Sequence, residues 1–122
     1  MPENVPKNRL KKLKINSNFL AENNDALIYV VDSCDRSRFA ESREELDRIL
    51  EEDAMRTTPV LILANKQDLP GAATCAEITN AFKMHQRAGR EWYVQATVAP
   101  SGQGLVDGLQ WMAKSIRNNR KK

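Results

Sequence analysis

The 122-residue chain is 41% apolar, with five prolines and five glycines, which suits one small domain and excludes global disorder. No apolar run approaches the roughly 20 residues of a membrane span, no apolar stretch follows the N-terminal charges as a signal peptide requires, and Pro2 occupies the position that N-myristoylation reserves for glycine. The net charge of +3 conceals basic ends on an acidic body: Lys7, Arg9, Lys11, Lys12 and Lys14 face only Glu3 at the start, and Lys114, Arg117, Arg120, Lys121 and Lys122 meet no acid at the end.

Those ends fit either solvated, frayed termini or weak contact with anionic lipid. Neither interleaves aromatics with its cations, so nucleic acid is not an expected partner. Cys34 and Cys75 have no C-x-x-C spacing and read as reduced thiols of a cytoplasmic protein. The single histidine, His85, argues against a His-based metal cage or a Ser-His-Asp triad and is expected on the surface at a helix end.

Residues 1–25 form a divergent, basic segment without clear periodicity. Arg9 to Leu20 could form only a weak helix, interrupted at Asn16, Ser17 and Asn18. From Ala26 the pattern sharpens: Ala26-Leu27-Ile28-Tyr29-Val30-Val31 is a continuous apolar run, the mark of a strand buried on both faces. It stops at Asp32-Ser33-Cys34-Asp35, a cluster suited to a turn and a helix cap. A helix follows from about Ser37 to Glu52, with Phe39, Leu46, Ile49 and Leu50 on one side.

Thr58 or Pro59 opens a second buried strand, Val60 to Ala64, and at its end stands Asn65-Lys66-Gln67-Asp68. Open α/β sheets bind ligands at the C-terminal ends of their strands. A carboxylate there can accept from the ring N–H and amino group of guanine, a pair of donors that adenine does not present on that edge. An amide can serve the ring nitrogen on the other side, and a lysine stem can lie along the face of the base. Guanine recognition is therefore the leading expectation for Asn65, Lys66 and Asp68.

Pro70-Gly71 marks a turn, and Thr74 with Glu77 makes a capping box for a helix over Cys75 to Met84. Trp92 to Thr97 is the third strand. Ser101-Gly102-Gln103-Gly104 leads into a last helix, whose Leu105, Leu109, Met112 and Ile116 form one stripe suited to a sheet. Strands alternating with helices, joined by connections too long for hairpins, predict an α/β fold: a mostly parallel sheet of about three strands with helices on both faces.

Several segments together resemble the Arf and Arf-like (ADP-ribosylation factor) small GTPases. They are Val30-Val31-Asp32-Ser33, Asp35-Arg36 and Arg38, Arg43-Glu44-Glu45-Leu46, Ala64-Asn65-Lys66-Gln67-Asp68-Leu69-Pro70, Ala76-Glu77-Ile78-Thr79 and Trp92-Tyr93-Val94-Gln95-Ala96-Thr97. Ser101-Gly102, Gly104-Leu105 and Gly108-Leu109 through Trp111 complete the set. The resemblance spans residues 26–118 and implies the C-terminal half of a Ras-like G domain, with 119–122 as a basic tail. It implies binding of GTP or GDP, effector or regulator proteins as partners, and a role in vesicle trafficking at Golgi or other endomembranes. It assigns the base contacts to Asn65, Lys66 and Asp68. A second contact, a backbone N–H, falls on Ala99, beside Val98, which replaces the family's small polar residue.

The family's phosphate loop, G-x-x-x-x-G-K-[ST], does not occur in these 122 residues, where no glycine precedes a lysine. Nor does a D-x-x-G-Q segment that would orient a hydrolytic water. Asp68-Leu69-Pro70-Gly71 fits D-x-x-G, but its aspartate belongs to the base motif and follows the wrong strand. No catalytic or metal residue is therefore assigned. Three accounts stay open: a weak or inactive guanine-nucleotide binder, a non-enzymatic pseudo-GTPase interaction module, and an incomplete piece of a longer Arf-like GTPase. The family's central strand, Ala26–Val31, is expected to have a bare edge unless residues 1–25 or another chain cover it.

Overall fold

The computed structural model describes residues 14–15, 26–87, 89–98 and 100–120. In chain order its elements are β1 (Lys14–Ile15), β2 (Leu27–Asp32), α1 (Phe39–Leu50), β3 (Val60–Asn65), α2 (Cys75–Ala81), β4 (Trp92–Ala96) and α3 (Leu105–Arg120). The sheet runs β1-β2-β3-β4 in space as in sequence, and every neighbouring pair is parallel. Three full strands carry it, as the apolar runs predict, and β1 adds two residues beside Leu27 and Ile28.

Side chains of a strand alternate between its faces, and here each face has its own core. Leu27, Tyr29, Val31, Val60, Ile62 and Ala64 pack with Leu46 and Leu50 of α1 and Ile78 and Phe82 at α2. On the reverse face Ala26, Ile28, Leu61 and Leu63 meet Met112, Trp111 and Ile116 of α3. Covered on both sides, Val60 to Ala64 is buried throughout, which explains its unbroken apolar run. A side chain such as Ile62, fully buried, contributes about 1.5–3 kcal/mol by removal from water.

The helices begin and end where local chemistry dictates. Asp35 does not cap α1 through its side chain; a 3-10 turn at Arg36–Arg38 intervenes, so α1 starts at Phe39 rather than Ser37. The Thr74–Glu77 capping box is formed in both directions. α2 stops at Ala81, short of the expected Met84, because Lys83 turns left-handed (φ 53°) and sends Met84 into the core. His85 is exposed, with its ring edge-on to Trp92.

The last helix departs from the expected stripe. Met112 is buried and Ile116 packs on the sheet, but Leu105 and Leu109 are 38% and 40% exposed. The line of closest approach runs instead through Gly108, Met112 and the buried Ser115, whose hydroxyl donates to Glu91. A Cβ at Gly108 would stand 3.3 Å from Leu61 Cδ2, so glycine sets how near the helix lies.

The edge of β2 is not bare along its whole length. Lys14–Ile15 pairs with Leu27 and Ile28, and these two residues are strand rather than part of the weak helix expected over Arg9–Leu20. The rest of that expected helix lies outside the described residues. Farther along β2, Val30 is 39% exposed although it sits on a sheet face. Among the described residues, no helix is long and apolar enough to cross a membrane.

Candidate functional site

Of the residues singled out by sequence, Asn65, Lys66, Asp68 and Val98 lie at or just after the C-terminal ends of β3 and β4, the side on which a parallel sheet opens to ligands. Asn65 is the last residue of β3 and lies in register with Asp32, the last of β2. Immediately after it the backbone swings into the left-handed region at Lys66, φ 64°. A non-glycine residue pays about 1–3 kcal/mol for such a conformation, and strain of this kind concentrates at binding sites. The swing separates the three polar side chains: Asn65 stays at the strand end, Lys66 turns toward β2, and Asp68 projects outward.

Each has a definite environment. Asn65 Oδ1 accepts from Thr97 Oγ1 at 3.1 Å, which joins the loops after β3 and β4. Lys66 Nζ donates to Asp32 Oδ2 at 2.9 Å. That hydrogen bond, followed by one from the Cys34 N–H, holds the Asp32 carboxyl below the usual carboxylate range. The same bond raises the Lys66 ammonium above its ordinary value. Both groups are substantially open to water. Asp68 is exposed, and its carboxylate has no hydrogen-bond or ion-pair partner among the described residues.

The loop after β4 is braced differently from what Val98 alone suggests. Ser101 Oγ donates to Val98 O and accepts from Gln103 N, both at 3.2 Å, while Val98 N donates to Gln103 O. The Ser101 hydroxyl thus braces this loop from within. Val98 itself lines an apolar cavity of about 220 Å³ with Val30, Leu63, Gly102 and Leu105, at whose polar margin stand Asn65 and Thr97. Ala99 lies outside the described residues. Gly104 (φ 83°) closes the loop where a Cβ would stand 2.0 Å from Ala96 O, so only glycine fits.

Sequence reasoning passed over Asp32 and Thr97 as parts of this site. Their signal was positional: each ends or follows a buried strand beside β3, and parallel register brings such ends together. Among the described residues, no group of three or more His, Cys, Asp and Glu side chains is placed to hold a metal ion. Asn65, Lys66 and Asp68 thus place an amide, an ammonium paired with Asp32 and an exposed carboxylate at and just after the end of β3.

Comparison with known families bears on most of the chain. One family model, that of the ADP-ribosylation factor family, matches residues 11–116. The match takes in β1 as well as every later strand, and it reaches further toward the start than the resemblance over 26–118. The chain belongs to the ADP-ribosylation factor (Arf) family of small GTPases.

Proposed function

We propose that this chain is a guanine-nucleotide binder of the Arf type whose grip is confined to the base. Asp68 takes the ring N–H and amino group of guanine, Asn65 serves the opposite ring nitrogen, and the Lys66 stem lies along the ring. Ala99 contributes its backbone N–H, and Val98 shapes the loop that carries it. The observation that supports this best is the exposed carboxylate of Asp68 beside a left-handed Lys66 at the open end of β3.

GTP or GDP when bound would supply the phosphates that distinguish the two states of a switch. In this reading Asn65, Lys66 and Asp68 hold the base, and the 122 residues contain no G-x-x-x-x-G-K-[ST] phosphate loop. A charge-assisted hydrogen bond contributes about 1.5–3 kcal/mol. Two or three of these, less the cost of association, correspond to roughly millimolar binding, near −4 kcal/mol. Within this reading the chain works in vesicle trafficking with Arf-type effectors or regulators, in the cytoplasm and at Golgi or other endomembranes. Its basic ends add weak contact with anionic lipid that fades with salt.

Titration of the 122-residue chain with GDP, GTP and ADP tests the proposal. Weak binding that favours guanine and ignores Mg²⁺ is expected. Nanomolar, Mg²⁺-dependent binding would overturn the confinement to the base, and equal affinity for ADP would overturn the base site itself.

A second reading, an interaction module without nucleotide chemistry, draws on the exposed Val30 and Leu105 that line the apolar cavity and on the exposed Leu109 of the same last helix. A third, that these residues are one part of a longer G domain, draws on the same surface. Masking that surface with Leu105→Ser and Leu109→Gln while nucleotide binding persists would favour the first account over both.

A further inference from the structure

Gln67 is the variable position of the motif, yet it is tied down more fully than its neighbours. Its Nε2 donates to Ser33 Oγ and to Ala73 O, each at 2.8 Å. Its backbone N–H donates to Thr97 O at 3.2 Å. A main-chain carbonyl can only accept, so the bond to Ala73 fixes which way the amide faces. Ser33 and Ala73 are both fully buried. Both bonds are therefore shielded from water at their far ends, where losing a donor leaves an acceptor unsatisfied.

The three partners lie on three different segments. Ser33 follows β2, Thr97 follows β4, and Ala73 is the far end of the loop that Gln67 itself begins. The bond to Ala73 closes that loop into a ring, and Ala73 N returns a bond to Ser33 O at 2.8 Å. Asp68 stands inside the ring, one residue past its anchor, with no tether of its own among the described residues.

We propose that Gln67 is a positioning residue for base selection: its clasp on Ser33 and Ala73 sets the direction in which Asp68 presents its carboxylate. This rests on the guanine-reading proposal above. Asp68 must meet two donors at once, the ring N–H and the exocyclic amino group, and a carboxylate free to swing meets one of them well. Gln67 never touches the base. It acts by narrowing the arc that Asp68 samples.

The test follows amide signals of the 122-residue chain by NMR during titration with guanosine, inosine and adenosine monophosphates. Inosine lacks the exocyclic amino group, so the guanosine-to-inosine affinity ratio reports the second hydrogen bond of Asp68. The wild type should favour guanosine by about tenfold. Gln67→Leu and Gln67→Glu, which remove both N–H donors at nearly constant volume, should bring that ratio close to one with adenosine affinity unchanged. Ser33→Ala, which removes one acceptor, should give an intermediate ratio.

A merely structural role would lower the melting temperature and leave the ratio intact, and that result would overturn the inference. If Gln67→Leu fails to fold, Gln67→Glu and Ser33→Ala decide the matter by the same ratio. A wild type that binds guanosine and adenosine equally would instead sink the base site, and this inference with it.

Discussion

Lys66 Nζ stands 2.9 Å from Asp32 Oδ2, across 34 residues of sequence. The pair exists because β2 and β3 are parallel neighbours whose last residues, Asp32 and Asn65, are in register. The left-handed turn at Lys66 then carries its side chain back over β2. Removing the carboxylate releases the ammonium and the exposed Cys34 N–H bond but takes no residue from either core. Asp32→Ala should therefore weaken guanosine monophosphate binding several-fold while the melting temperature barely moves, since an exposed pair stabilises little. Thermal unfolding and titration on one preparation separate the two effects.

The acid limb of stability has a definite sign. Hydrogen bonds from Lys66 lower the Asp32 carboxyl, and those from Arg36 and the Thr74 N–H lower that of Glu77. A carboxyl lowered on folding contributes stability that is complete above its unfolded value, near pH 4, and is lost as pH falls through the folded one. Unfolding by urea should show stability declining below about pH 4. In Asp32→Asn combined with Glu77→Gln that decline should be shallower; an unchanged slope would remove both groups from the account.

Thr74 and Glu77 also hold the start of α2. Thr74 Oγ1 accepts from Glu77 N at 3.1 Å, and Glu77 Oε1 accepts from Thr74 N at 2.8 Å. Thr74→Ala should cost about 1 kcal/mol in chemical denaturation. Glu77→Gln preserves an acceptor for the Thr74 N–H but loses the charge opposite Arg36. Its loss of stability should shrink in high salt, whereas that of Thr74→Ala should not.

Glycine substitutions provide a paired comparison. Gly89 and Gly104 have nearly the same backbone angle, φ 87° and 83°. A Cβ at Gly89 meets nothing within 4 Å, whereas one at Gly104 meets Ala96 O at 2.0 Å. Gly89→Ala should cost only the left-handed conformation, about 1–2 kcal/mol. Gly104→Ala must also displace the end of β4 and should cost clearly more. Equal losses would mean that the loop yields freely and does not fix Val98.

The strands were legible because burial on both faces erases the polar alternation, leaving runs such as Val60 to Ala64 that few other structures produce. The capping box was legible because Thr74 and Glu77 interact within one turn. What sequence could not give was anything that depends on how elements lie against each other. Spacing alone predicts the stripe on α3, but the helix approaches the sheet most closely at Gly108, and Leu105 and Leu109 end partly exposed. In the site, Asn65, Lys66 and Asp68 were legible as a motif. Asp32, Ser33 and Thr97 were not, because their roles arise from parallel strand ends meeting across the sheet.

Asp68 gives the sharpest single-residue prediction. Its carboxylate accepts hydrogen bonds and, when ionised, donates none. Asp68→Asn keeps the shape but turns half of that edge into a donor, which opposes one of the two N–H groups of guanine. Guanosine monophosphate should then lose about 1–3 kcal/mol of binding. Adenosine monophosphate, which does not use the carboxylate, should bind as before. Because Asp68 is exposed and lies outside both cores, the fold should not register the change. A uniform loss for both nucleotides would point to a general electrostatic or structural effect of position 68, and selective reading by this side chain would be excluded.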